Sequence, residues 1–139
     1  MQGTLDVAAK YLGVAEAPAG AAPNPTILKF QAVVHNPADD EVPWCAAFAN
    51  DVLSEAGIEG TNKPNARSFM DWGVETDNPE PGDIVVFWRG DPNGWQGHVA
   101  FFVEFLEGAL VRVLGGNQHD SVCYANFPTA RVLGYRRAA

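Results

Sequence analysis

Three residues carry the chemistry that this sequence suggests: Cys45, His98 and Asn117. The stretch 42–50 reads VPWCAAFAN, and the cysteine stands where a helix begins. A thiol there lies against free backbone N–H groups and the positive end of the helix dipole, which both favour thiolate. That is the setting of a nucleophile, although an ordinary buried cysteine, acting as a small hydrophobe, fits the same stretch.

A cysteine nucleophile needs a base within hydrogen-bond reach and a third group that orients the base. Of the three histidines, His35 and His119 lie in turn-like sequence and read as solvated. His98 opens the apolar run GHVAFFVEF, where a polar ring has little packing role, though a neighbouring loop could also satisfy it. Asn117, in VLGGNQ, follows the next strand, and antiparallel pairing brings the end of that strand beside the start of the first. Its carboxamide could accept the imidazole N–H; a simple turn of Asn and Gly is the competing reading. Glu104 shares the alternating face of His98 but lies about 20 Å along the strand.

The elements that must position these residues follow from periodicity. Cys45, Phe48, Ala49, Val52 and Ala56 recur at helical spacing, Pro43 suits the turn before them and Gly57 the stop after them. A first helix carries Leu5, Ala8, Ala9 and Leu12 on one stripe, capped by Thr4 or Asp6 and ending at Gly13. A second runs from Thr26 to Val34 after the Pro- and Gly-rich EAPAGAAPNPT, and a short one is predicted over 65–72. From there the pattern changes. DIVVFW, GHVAFFVEF, ALVRVLGG and RVLGYRR are strand-like runs bounded by turn residues, with a hairpin at Glu107 and Gly108 and a further edge strand at SVCYANF. Loops too short for crossover helices imply antiparallel pairing, hence an α+β fold with N-terminal helices packed on an antiparallel sheet. Arg67 and Asp83 read as structural, pairing or capping near their turns.

The 139 residues suit one domain, 1–139, able to fold without cross-links. Seventeen acidic against nine basic residues give a net charge of −8, which argues against general nucleic-acid binding and against attraction to anionic membranes. Cys45 and Cys123 could form one bridge, but no zinc-type cluster is present, and Cys123 is given no catalytic role. Asn36, Asp39, Asp40 and Glu41 could hold calcium, yet they lack the spacing of a recognised calcium loop and read as a solvated turn. The N-terminus shows no secretory signal, and no run approaches the about 20 apolar residues of a membrane span. A soluble chain made in the cytoplasm is expected.

PWCAAFAN, PGDIVVF, GHVAFFVE and LGGNQ, in that order, resemble the papain-like cell-wall hydrolases of the NlpC and CHAP type, most of all the short subgroup carried by bacteriophages. The resemblance covers Pro43 to Gln118. It implies a papain-like fold and a cysteine peptidase or amidase triad in which Cys45 is the nucleophile, His98 the base and Asn117 the third polar group. Ala46 stands where many relatives have Ser, which leaves the Cys45 backbone N–H as one oxyanion donor. Peptidoglycan is the implied substrate, cut in its peptide part, with the sugar-peptide amide as the alternative; a silent wall-binding module and acyl transfer are rival readings. No cofactor and no metal is expected, and the chain is expected to act as a monomer, reaching the wall by phage-type release or within a particle. Among the tryptophans, Trp44 and Trp95 are the candidates for substrate binding, with Trp72 and Trp88 assigned to packing.

Overall fold

A computed structural model describes residues 2–18, 20–34 and 44–139. Three helices, α1 (Gln2–Ala9), α2 (Pro25–Val33) and α3 (Cys45–Glu55), precede six strands: β1 (Val74–Thr76), β2 (Ile84–Trp88), β3 (Gly97–Leu106), β4 (Leu110–Gln118), β5 (Ser121–Pro128) and β6 (Val132–Arg137). The strands form one sheet in the order β1-β6-β2-β3-β4-β5, with antiparallel pairing throughout. This is the α+β arrangement expected. The segment predicted as a helix over 65–72 is a 3-10 helix, Ala66–Asp71.

The element that matters most is α3. All its residues from Cys45 to Leu53 are buried. Phe48 meets Phe30 of α2 and Phe101 of β3 edge to face, at centroid distances of 5.2 and 6.3 Å. Each such pair adds about 0.5–1.5 kcal/mol beyond the apolar area it buries. The helix stops where Gly57 takes φ 78°, the Gly57 N–H bonding to the Ser54 carbonyl and the Ile58 N–H to that of Leu53. Only a glycine adopts that left-handed turn without strain.

Thr4 or Asp6 is the expected cap of α1, but both lie inside the helix. Thr4 is fully buried, and its hydroxyl donates to the Gly82 carbonyl at 2.7 Å, tying α1 to the chain just before β2. Asp83 pairs with Arg137 at 2.7 Å and accepts from the Glu80 N–H, so its structural reading agrees with the contacts.

β2 is buried on both faces, which is why DIVVFW reads as an unbroken apolar run. One face of the sheet, with Val86, Val99, Phe101, Leu114 and Val122, packs on the helices. The other holds Val85, Phe87, Ala100, Phe102, Val111 and Val113. Phe87 of β2 and Phe127 of β5 lie three strands apart in sheet order, about 14 Å in a flat sheet. Their ring centroids are 4.8 Å apart, so the sheet curls around this second face. Arg131, between β5 and β6, fastens the curl by donating to the Trp88 carbonyl at 3.1 Å.

Candidate active site

His98 opens β3 on the concave face, its ring between Phe87 and Phe127 at centroid distances of 6.1 and 5.4 Å. It is 0% exposed. Nε2 lies 2.8 Å from Gln118 Oε1, and the Gln118 amide nitrogen donates to the Cys123 carbonyl at 2.7 Å. That second bond decides the tautomer. With its NH2 committed to Cys123, the amide presents oxygen to the ring, so Nε2 carries the proton and Nδ1 carries the lone pair. Nδ1 is buried and has no hydrogen-bond partner among the described residues.

Cys45 lies at the start of α3, in the core on the helix side of the sheet. Pairing of β3 with β4 runs from Leu106–Leu110 to Phe101–Leu114 and goes no further toward the start of β3. The N–H of Val99, directly after His98, is thereby left out of the ladder, and it acts on the Cys45 thiol to lower its pKa. The backbone N–H groups of Ala46 and of Cys45 itself add to it, at a helix start with no side-chain cap. The exposed Arg89 acts on both partners, its charge lowering the pKa of thiol and imidazole alike.

Burial dominates the ionisation of both groups. Cys45 keeps 6% of its surface, and burial pushes its thiol up, against the opposing pull of the N–H groups and Arg89. The thiolate favoured by the helix start alone is therefore outweighed by desolvation. Burial brings His98 down to about 4, with Arg89 and Arg131 adding to the effect and the Gln118 bond opposing it. At neutral pH the pair rests as thiol and neutral imidazole.

Asn117 is the orienting residue expected from the sequence, whereas the imidazole bonds to its neighbour Gln118. Val111, Val113 and Gly115 alternate on the concave face, and strict alternation would continue to Asn117. Instead the β4–β5 register shifts between Gly115 and Gln118, and Asn117 takes φ 57°. That one-residue bulge exchanges the faces. Gly115 completes the fit: a Cβ there would meet Gln118 Oε1 at 2.7 Å.

Trp44 also differs from expectation. It is 0% exposed, stacks on Phe30 at 6.1 Å, donates from Nε1 to a Glu16 carboxylate oxygen and lies against Gly116, where a Cβ would meet its ring at 2.6 Å. It seats the start of α3 and offers no surface to a ligand. Trp95 is 77% exposed, in the loop before His98. Arg67 holds that loop through three carbonyls, of Gln96, Pro92 and Asp91, at 2.8, 3.1 and 2.8 Å. Trp72 and Trp88 donate to the Glu59 and Ala130 carbonyls, respectively. The two cysteines are free, and Cys123 lies on the edge strand β5. His35 and the Asn36, Asp39, Asp40, Glu41 cluster fall outside the described residues; among those described, no three His, Cys, Asp or Glu side chains gather as metal ligands.

The CHAP domain family matches residues 37–117, more than half the chain and the span that holds Cys45, His98 and Asn117. The chain belongs to the CHAP family. Among solved structures, the fold of this CHAP domain is similar to that of a protein described as similar to a lipoprotein of the NLP/P60 family, from Staphylococcus aureus subsp. aureus Mu50. The identity is 23%, the TM-score 0.56, and the match covers 99% of this chain and 40% of that one. The CHAP domain thus spans well under half the length of that protein, and the likeness concerns the fold. No curated protein matches the sequence. The findings agree with the cell-wall hydrolase type that the motifs resemble. Among the described residues, no helix is long and apolar enough to cross a membrane.

Proposed function

We propose that this CHAP domain hydrolyses an amide bond in the peptide part of peptidoglycan, with Cys45 as nucleophile, His98 as base and Gln118 as the residue that orients the base. One observation carries the reading. The backbone N–H next to His98 favours the Cys45 thiolate, and that histidine keeps its lone pair on a buried nitrogen with no hydrogen-bond partner among the described residues.

In this mechanism Nδ1 of His98 takes the thiol proton as Sγ attacks the amide carbonyl carbon. The backbone N–H groups at the start of α3 receive the negative oxygen of the tetrahedral intermediate. His98 then gives its proton to the leaving nitrogen, the C–N bond breaks and a thioester remains. Water attacks that thioester while His98 accepts its proton, the C–S bond breaks, and the sulfur recovers a proton. Neutral imidazole at rest suits this sequence, because the first step needs a base rather than an imidazolium. Trp95 offers an aromatic face to substrate close to the histidine.

The test uses purified cell walls, with soluble fragments followed by mass spectrometry. Fragment release by the wild type and none by Cys45→Ala is the expected result; equal release by both, or none by either, removes the proposal. Fragment masses separate a cut between peptide residues, the favoured reading, from a cut at the sugar-peptide amide. A second reading, a catalytically silent wall-binding module, is favoured by the burial of Cys45 and His98, and the same assay decides between them. Delivery by phage lysis or in a particle accords with the motif resemblance.

A further inference from the structure

β5 is the last strand of the sheet, and only its beginning is covered. The N-terminal segment lies against it there: the Gly13 N–H bonds to the Val122 carbonyl at 3.0 Å, the Val122 N–H to that of Val14 at 2.8 Å, and the Glu16 N–H to that of Asp120 at 2.9 Å. Those bonds show that the backbone groups of Val122 point away from β4. By strand alternation those of Tyr124 and Asn126 point the same way, onto an edge that carries no further strand among the described residues. A cleft of about 650 Å³ runs along this stretch, bounded by Arg112, His119, Tyr124, Asn126, Phe127 and Arg131.

The charge of the cleft is opposite to that of the molecule. The chain has a net charge of −8, yet no Asp or Glu among the described residues lines this cleft, while two arginines and a histidine do. The guanidinium of Arg112 lies 4.6 Å from the ring centre of Tyr124, a stacked position that keeps it flat on the strand. Arg131 is anchored by the Trp88 carbonyl and lies 5.8 Å from the Phe127 ring. Phe127 in turn packs on His98, so one end of the cleft adjoins the candidate active site.

We infer that this cleft binds an extended peptide through its carboxylates, the backbone adding to the open edge of β5 while Arg112 and Arg131 receive the negative groups. Resting on the proposed hydrolase activity, the occupant is the acidic peptide arm of peptidoglycan, held beside His98.

Titration of the full-length Cys45→Ala variant with a purified peptidoglycan stem peptide, followed by NMR, tests this without turnover. Shifts at Tyr124 and Asn126 are expected, with binding about tenfold weaker for the same peptide with its carboxylates amidated, and about tenfold weaker in Arg112→Gln. Arg112 is exposed, with its ion pair to an exposed Glu104 and its ring contact to the half-exposed Tyr124, so this variant keeps the fold. Equal affinity for the amidated peptide, an unchanged Arg112→Gln, or no shifts on β5 would overturn the inference. Cell-wall hydrolysis by the wild type is measured in parallel. Hydrolysis without β5 binding defeats the cleft alone, and β5 binding without hydrolysis defeats the catalytic reading alone.

Discussion

Gln118 holds His98 through a 2.8 Å bond to Nε2 and is itself held by the Cys123 carbonyl, so the proton on the ring is directed from the edge strand. Gln118→Ala removes the acceptor and frees the ring to take the other tautomer, and kcat should fall by about 10- to 100-fold. Gln118→Glu keeps an acceptor and adds a negative charge that favours imidazolium, so the acid limb of the pH-rate profile should move upward. Asn117→Ala should change kcat less than twofold, since no bond to the ring is lost. Kinetics on cell walls for the three variants check this; a larger loss from Asn117→Ala than from Gln118→Ala would reverse the assignment.

The buried imidazole also links stability to pH. An unfolded histidine titrates near 6.5 and this one near 4, so between those values the unfolded chain binds a proton that the folded chain refuses. Stability contributed by His98 is therefore complete above pH 6.5 and is lost as pH falls toward 4, by about 3 kcal/mol at most. Urea unfolding across this range should show the decline, and His98→Phe should flatten it. A wild-type curve with no slope between pH 6.5 and 4 would contradict the buried neutral ring.

Arg89 acts on the sulfur and the ring together. Replacing it with Gln removes a cation that disfavours imidazolium, so the acid limb of activity should rise by about a few tenths of a pH unit, a small effect because the side chain is exposed and screened. The same variant should titrate its Cys45 thiol at higher pH. Ultraviolet absorbance of the thiolate measures the second effect, and opposite movement of the two groups would show that Arg89 does not serve both.

Much of this arrangement is written in local pattern. Cys45, Phe48, Ala49 and Val52 announce α3, and runs such as GHVAFFVEF announce strands, because burial on one or both faces imposes a period that a single chain displays. The features that escaped are those set by distant partners. β1 is three residues long and exists by pairing with Arg137, Arg136 and Tyr135, some sixty positions away. The bulge that exchanges Asn117 for Gln118 depends on β5, and the pair of glycines at 115 and 116 is the only sign of it in the sequence. Trp44, a substrate-binding candidate in the sequence, lies in the core because Phe30, contributed by another helix, stacks on it.

Arg67 makes the loop before His98 a fixed support for Trp95. Three charge-assisted bonds to carbonyls, together with the contact of its stem with Gly97, where a Cβ would lie 3.2 Å from Arg67 Cγ, replace the disorder expected of a loop with exposed tips. Two variants separate the ring from its support. Trp95→Ala removes only an exposed face, so melting temperature should hold while KM for cell walls rises by about tenfold, with kcat little changed. Arg67→Ala leaves the ring but releases the loop, so KM should rise as well, now with a melting temperature lower by a few degrees. Calorimetry beside steady-state kinetics reads both quantities. If Arg67→Ala lowers the melting temperature without touching KM, the loop's order serves the fold alone and Trp95 has no part in binding.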